Sequence, residues 1–199
     1  MAQIDYYFST LSPFTYLAGT RLEEIAARRG ADVTYKPMDI MTLFTRTGGV
    51  APKDRHPARM AYRAQELRRG QLKSGLPLNI KPMFWPTNPA PSSYAIITAQ
   101  QSGDGDLGGL VHGILRAVWS EEKDIAESDV IRTELEDNGF DPDLADKGML
   151  SAAEEYARNL EEAVAANVFG APFYVVDGAE TFWGHDRLDD LDLFLSGKL

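Results

Sequence analysis

Strand-like sequence in this chain is confined to its two ends, and the long stretch between them is patterned for helix. Residues 4–8 (IDYYF) and 32–37 (DVTYKP) are short runs rich in aromatic and β-branched side chains. Between them, Ser12 is a preferred N-cap and Pro13 suits the first helical position. Phe14, Leu17, Ala18, Leu22, Ile25 and Ala26 then recur at helical spacing, and Gly30 ends the run. The order β-α-β predicts parallel strands joined by a right-handed crossover. Strand character returns at 171–176 (APFYVV) and 180–183 (ETFW), on either side of Asp177-Gly178. An Asp-Gly turn between two β-runs predicts a hairpin. A final helix is expected from about Asp186 to Leu195, with Leu188, Leu191, Phe194 and Leu195 on its apolar face.

The region from about 40 to 166 reads as helices near 58–72, 92–101, 107–119, 129–137, 142–147 and 151–166. Residues 76–91 (LPLNIKPMFWPTNPAP) interrupt them with a proline-rich, irregular segment. No internal repeat or low-complexity linker divides the chain.

At 199 residues the chain suits one large domain or one domain with an insertion. It has no cysteine, so disulfides, a thiol nucleophile of its own and Cys-based metal sites are excluded. His56, His112 and His185 are scattered and form no metal-binding motif. The net charge of −10 opposes nucleic-acid binding. That charge is unevenly spread. Residues 1–100 carry 13 basic against 7 acidic side chains, net +6, and residues 101–199 carry 7 against 23, net −16. Arg55, Arg59 and Arg63 recur every four residues within the basic stretch, and the spacing leaves two readings open: a solvated helix face, or a face that holds a small carboxylate. No apolar run approaches a membrane span, and no signal peptide is seen, so a cytoplasmic protein is expected.

Three motifs occur together: LSPFTYLA after the first strand, FGAPF at the third, and WGHDRL between the hairpin and the last helix. This combination resembles the DsbA-like branch of thioredoxin-fold proteins. More narrowly, it is similar to 2-hydroxychromene-2-carboxylate isomerases and their relatives, the kappa-class glutathione transferases. The resemblance implies an α/β fold in which residues 1–40 and 167–199 form a thioredoxin-like domain. Residues 41–166 would be an inserted all-helical subdomain, its last helix belonging to the thioredoxin core. Glutathione would be the cofactor, the partner substrate a small aromatic anion, and the assembly a homodimer.

The family likeness also assigns roles. Ser12 stands where disulfide oxidoreductases carry the first cysteine of a Cys-x-x-Cys pair, and would stabilise the glutathione thiolate as a donor. By spacing alone it reads as a plain N-cap. A free thiol titrates near 8.5. A charged hydrogen bond of about 1.5–3 kcal/mol plus a helix dipole of about 0.3–1 kcal/mol would lower it by roughly one to three units. Pro172 is expected to be cis, with the Ala171 backbone facing the site. His185 and Asp186 would hold the γ-glutamyl end, although Asp186 also reads as the N-cap of the last helix. On the substrate side the family uses an Asn-Arg pair, matched here by Asp54 and Arg55, with Arg59 nearby. A lysine expected about ten residues earlier is absent, and Phe44 falls near its place. Trp85 is read either as a wall of an aromatic pocket or as core. The implied reaction interconverts 2-hydroxychromene-2-carboxylate and trans-o-hydroxybenzylidenepyruvate. A kappa-like transferase and a non-catalytic thioredoxin-fold binding module are the alternatives.

Overall fold

The computed structural model describes residues 1–199. Four strands form one mixed sheet in the order β2-β1-β3-β4: β1 (Gln3–Phe8), β2 (Asp32–Pro37), β3 (Phe173–Val176) and β4 (Glu180–Trp183). β1 lies parallel to β2, with Ile4 opposite Val33 and Tyr6 opposite Tyr35. It runs antiparallel to β3, with Tyr6 opposite Tyr174. β3 and β4 form the hairpin expected at Asp177-Gly178.

The alternation along β1 sorts two cores. Ile4, Tyr6 and Phe8 point into the larger one, where Tyr6 stacks between Phe8 and Tyr174 at centroid distances of 4.7 and 5.2 Å. Tyr7 points to the opposite face, against Met38, Leu43, Ala163 and Phe173. On that face Lys36 of β2 is mostly buried and bonds Glu162 at 2.5 Å, with Asp5 of β1 at 3.7 Å.

The helices are α1 (Pro13–Ala18), α2 (Arg21–Arg29), α3 (Ile40–Thr47), α4 (Pro57–Ser74), α5 (Ala90–Ser102), α6 (Leu107–Trp119), α7 (Ser128–Asp137), α8 (Met149–Ala165) and α9 (Leu188–Leu195). Four differ from expectation. The helix expected from Pro13 to Gly30 breaks after Ala18, where Gly19 takes φ 59° and returns its N–H to the Tyr16 carbonyl. A positive φ at glycine costs no Cβ clash, so the chain can re-aim there without losing its apolar spacing. α3 was not anticipated, although Asp39 caps it through Met41 and Thr42 N–H and Gly48 closes it at φ 77°. The segment near 142–147 is a 3₁₀ turn, Pro142–Ala145. The last helix starts at Leu188, after a 3₁₀ turn at His185–Arg187, so Asp186 is not its N-cap. No helix is long and apolar enough to cross a membrane.

The larger core draws on both sides of the expected boundary. Residues of β1, α1, α2, β3, β4 and α9 join Ile96 of α5, Ile114 and Trp119 of α6 and Leu135 of α7 in one cluster. The helical block therefore completes the core over one face of the sheet. α3 and α8 cover the other face.

Glu23 marks a tension in this packing. Its Oε1 accepts from the Tyr35 hydroxyl at 2.7 Å, while its buried Oε2 has no partner. Burial pushes its pKa above the ordinary carboxyl value. A carboxyl raised in the folded state stabilises the fold at low pH, and that contribution is lost as pH rises through the folded value. Glu23→Gln should therefore gain stability relative to wild type between pH 4 and pH 8. Urea unfolding at both pH values checks this; a constant difference would show that Glu23 carries no such linkage.

Candidate functional site

The β1–β3 pairing sets the start of α1 beside the loop entering β3. Ser12 caps α1 by accepting from the Thr15 N–H at 3.2 Å. The same hydroxyl donates to the Ala171 carbonyl at 3.3 Å. That second bond is long for O–H···O and correspondingly weak. The Ala171-Pro172 peptide is cis, as expected; a second cis bond, Trp85-Pro86, was not anticipated.

In front of this junction lies a cavity of about 580 Å³, within the usual range for small-molecule sites. Phe14 and Ala171 form its floor. α4 supplies one wall through Arg59, Tyr62, Arg63 and Glu66, with Arg55 just before the helix. Trp183 and the turn from Gly184 to Arg187 supply the other. The structure thus brings together Ala171, His185, Asp186, Arg55 and Arg59 from the sequence-based set. Ser12 stands behind the floor, its hydroxyl turned onto the Ala171 carbonyl. Pro172 is buried, and its carbonyl accepts from Gly184 N–H at 3.0 Å, tying the two motifs together.

The cavity is lined by four arginines, Arg55, Arg59, Arg63 and Arg187, and by two acids, Glu66 and Asp186. Nine of the thirteen arginines form ion pairs, and Arg55, Arg59 and Arg63 are among the four that do not. Desolvation, then the Arg59 charge, lowers the pKa of Arg55; desolvation, then Arg55, lowers that of Arg63. Arg55 is anchored by its Nε, which donates to the Val50 carbonyl at 2.7 Å, leaving its terminal nitrogens free. Arg63 lies over the Phe14 ring at 5.9 Å. Desolvated guanidiniums without a carboxylate are costly unless an anion completes them. Arg55 and Arg63 are half-buried and Arg59 is exposed, and all three line the cavity.

Asp54 does not oppose this field. It is exposed at the end of a 3₁₀ turn and makes no ion pair with Arg55, because Arg55 turns back to Val50. It does not line the cavity. Trp85 also lies elsewhere: its indole N–H donates to the Leu11 carbonyl at 3.1 Å and its ring meets Trp119 at 5.7 Å, so it belongs to the core.

Sequence reasoning overlooked the aromatic walls. Phe14 stacks on His185 at 5.5 Å, and Trp183, half exposed, meets Phe169 edge to face at 4.8 Å. Trp183 was visible in its motif but read as hairpin. Gly184 adopts φ 113°, and the Asp186 carboxylate folds over it so closely that any Cβ there would lie 2.5 Å from Oδ1. Gly70 of α4 plays a similar part for His185, whose Nε2 lies 3.1 Å from where a Cβ would stand. A smaller cavity of about 200 Å³ adjoins the first, and Arg55, Arg59 and Trp183 line both.

A four-stranded sheet with a helix-capping serine beside a cis-proline loop defines a thioredoxin-type protein. The family model for the DSBA-like thioredoxin domain matches residues 3–196, and the chain belongs to that family. Its place there is among the 2-hydroxychromene-2-carboxylate isomerases. The protein of that name from Sphingobium xenophagum is 31% identical over 195 residues, covering 96% of this chain and 97% of the relative. The one from Pseudomonas putida is 28% identical over 190 residues, covering 93% and 90%. A solved 2-hydroxychromene-2-carboxylate isomerase superposes with a TM-score of 0.77 at 26% identity, covering 98% of this chain and 95% of that one. The cytosolic disulfide reductase DsbM from Pseudomonas aeruginosa, at 20% identity, a TM-score of 0.70 and 98% coverage of each chain, shares the fold. These relatives make the chain an enzyme of an isomerase family.

His185 gives a direct test of the site's polarity. Burial, against a smaller opposing effect of Asp186, lowers its pKa below the ordinary histidine value. A base depressed in the fold contributes stability above its ordinary value and loses it as pH falls through the folded one. Nitrogen chemical shifts should show His185 neutral at pH 7, with a midpoint below about 6.5. A midpoint at or above that value would contradict the geometry.

Proposed function

We propose that this chain is a glutathione-dependent isomerase that interconverts 2-hydroxychromene-2-carboxylate and trans-o-hydroxybenzylidenepyruvate or a related aromatic 2-oxo acid. The carrying observation is the cavity that Arg55, Arg59 and Arg63, none of them in an ion pair, line together with Ala171, whose carbonyl accepts from Ser12. The names of the relatives supply the substrate class.

The residues present suit glutathione, a tripeptide with one ammonium, two carboxylates and a thiol. Asp186 offers an acid for the ammonium at the Gly184–Arg187 end. Arg63 offers a cation for a carboxylate. Ala171 offers backbone hydrogen bonding at the floor, in the manner of an added strand. When bound, glutathione supplies a thiolate able to add reversibly to the conjugated carbon of the ring-opened enone, so that the former double bond can rotate.

The chain's own residues do the rest. The Ser12 oxygen is already an acceptor for Thr15 N–H, which polarises its O–H. The proton needs only to leave the long bond to the Ala171 carbonyl to be donated to a negative sulfur. α1 is only six residues long, so its dipole is a smaller contributor than a helix running to Gly30 would provide. The hydroxyl and the nearby guanidiniums carry most of the stabilisation. Arg55 and Arg59 orient the substrate carboxylate and favour the charge that builds on the 2-oxo group as the conjugated system is attacked. Phe14, Trp183 and His185 narrow the water-accessible space around these charges.

Ser12→Ala should keep most glutathione binding and raise the bound thiol's pKa by about one to two units, the equivalent of a charged hydrogen bond of about 1.5–3 kcal/mol. Ultraviolet titration of the thiolate decides; equal thiolate fractions in both proteins would remove Ser12 from this role. Arg55→Ala should weaken substrate by about 1.5–3 kcal/mol, and Arg55→Lys should recover only part, since lysine keeps charge without the fork. The isomerase reading as a whole is checked by turnover with total glutathione held constant. Steady consumption of the thiol would point to a transferase.

A further inference from the structure

The turn that carries His185 and Asp186 is gripped by a residue that lines neither cavity. Arg21, at the first position of α2, reaches it with both terminal nitrogens. One donates to the Asp189 carboxylate in the first turn of α9 at 2.6 Å, the other to the backbone carbonyl of His185 at 3.4 Å. Local preference argues against a cation at this place, because it opposes the helix dipole. The rest of α2 obeys that preference, with Glu23 and Glu24 in its first turn and Arg28 and Arg29 in its last. Nor does α2 need Arg21 to dock on α9. Leu22 and Ile25 share the larger core with Leu188 and Leu191, and Arg28 and Arg29 clamp Asp192 further along. The Arg21–Asp189 pair is largely exposed, at 40% and 86% of the two side chains, so it adds little stability by itself. A residue that breaks a local rule without adding stability points to a functional constraint.

We infer that Arg21 is a positioning residue for this end of the site: it fixes the His185–Arg187 turn from outside the cavity, so that His185 stays on Phe14 and Asp186 stays over Gly184. The inference rests on the proposed reading that this end holds the ammonium of glutathione, and adds what keeps it in shape. The entry to the turn is secured by Gly184 N–H, which donates to the Pro172 carbonyl at 3.0 Å, and Arg187 N–H closes the turn onto the Gly184 carbonyl at 3.2 Å. Inside the cavity the His185 ring meets Phe14 at 5.5 Å and lies close to Gly70 of α4. Arg21 supplies the hold from α2: it takes the mid-turn carbonyl and the first turn of α9 in one fork, so the turn and the helix after it move as a unit. A binding group is only as well placed as the shell that supports it.

Two readings on the full chain test this. Hydrogen exchange of the Arg187 amide, measured without ligand, reports the order of the turn, and calorimetry with glutathione reports the site. Arg21→Ala should speed that exchange about tenfold relative to the Tyr174 amide of β3 and weaken glutathione about fivefold or more. Asp192→Asn is the structural control, because it removes the other ion pairs between the same two helices. It should leave exchange and glutathione affinity within about twofold of wild type, even if it lowers urea stability more than Arg21→Ala does. Arg21→Lys keeps the charge without the fork and should recover only part of each loss. Faster exchange with unchanged glutathione affinity would reduce Arg21 to a brace. Weaker glutathione binding with unchanged exchange would show that Arg21 does not act through the turn. Equal effects in Asp192→Asn would show a general loosening of α9. Each of these outcomes overturns the assignment. If Arg21→Ala fails to fold, Arg21→Lys decides on the same two readings, and wild-type values in both overturn it. A wild-type protein that does not bind glutathione sinks the cofactor reading alone, and the exchange comparison then decides whether Arg21 holds the turn.

Discussion

The pairing of β1 with β3 is the constraint on which the site depends. It joins residues about 170 positions apart in sequence: Tyr6 faces Tyr174 and Ile4 faces Val176. That register sets Ser12 at the end of one strand beside Ala171 at the start of the other, near enough for a hydrogen bond. The same sheet delivers Trp183 and the Gly184–Arg187 turn through the β3–β4 hairpin. α4, from the middle of the chain, then closes the cavity, and its approach depends on Gly70, which leaves room for Leu17 and His185. Three distant stretches meet because a single central strand holds the outer two in register.

The electrostatics of the cleft run against the rest of the molecule. The chain carries a net charge of −10, yet the cavity in front of the Ser12–Ala171 junction is bordered by three guanidiniums, Arg55, Arg59 and Arg63, that form no ion pair. Most other arginines are paired: Asp192 bonds Arg28 and Arg29, and Arg132 bonds Asp143 and Asp146. Leaving Arg55, Arg59 and Arg63 unmatched sacrifices some stability and creates a local field that attracts a small anion within an overall negative surface.

Much of this architecture could be read from the amino-acid order. The strands, the hairpin at Asp177-Gly178 and the meeting of Ser12 with Ala171 follow from local turn chemistry and motif resemblance. The break at Gly19 was hidden because Leu17, Leu22 and Ile25 keep the same apolar spacing on either side of it. α3 was legible in principle, from Asp39 at one end and Gly48 at the other, but its short apolar pattern is weak. Asp54 was placed with Arg55 by motif resemblance, but Arg55 turns back to the Val50 carbonyl and lines the cavity while Asp54 stays outside it. Trp85 and Trp183 were harder still. Both are tryptophans near glycine or proline turns, and only tertiary packing decides which indole is core and which is wall.

Because Arg55, Arg59 and Trp183 belong to both cavities, the two compartments share one set of cations. An anion held in either compartment spends part of the same positive potential, so occupation of one diminishes the pull exerted in the other. By reciprocity the penalty is equal in both directions. Two ligands of like charge seated side by side would therefore oppose each other in affinity even without touching. Under the proposed function, such opposition would help each ligand to leave once both are seated.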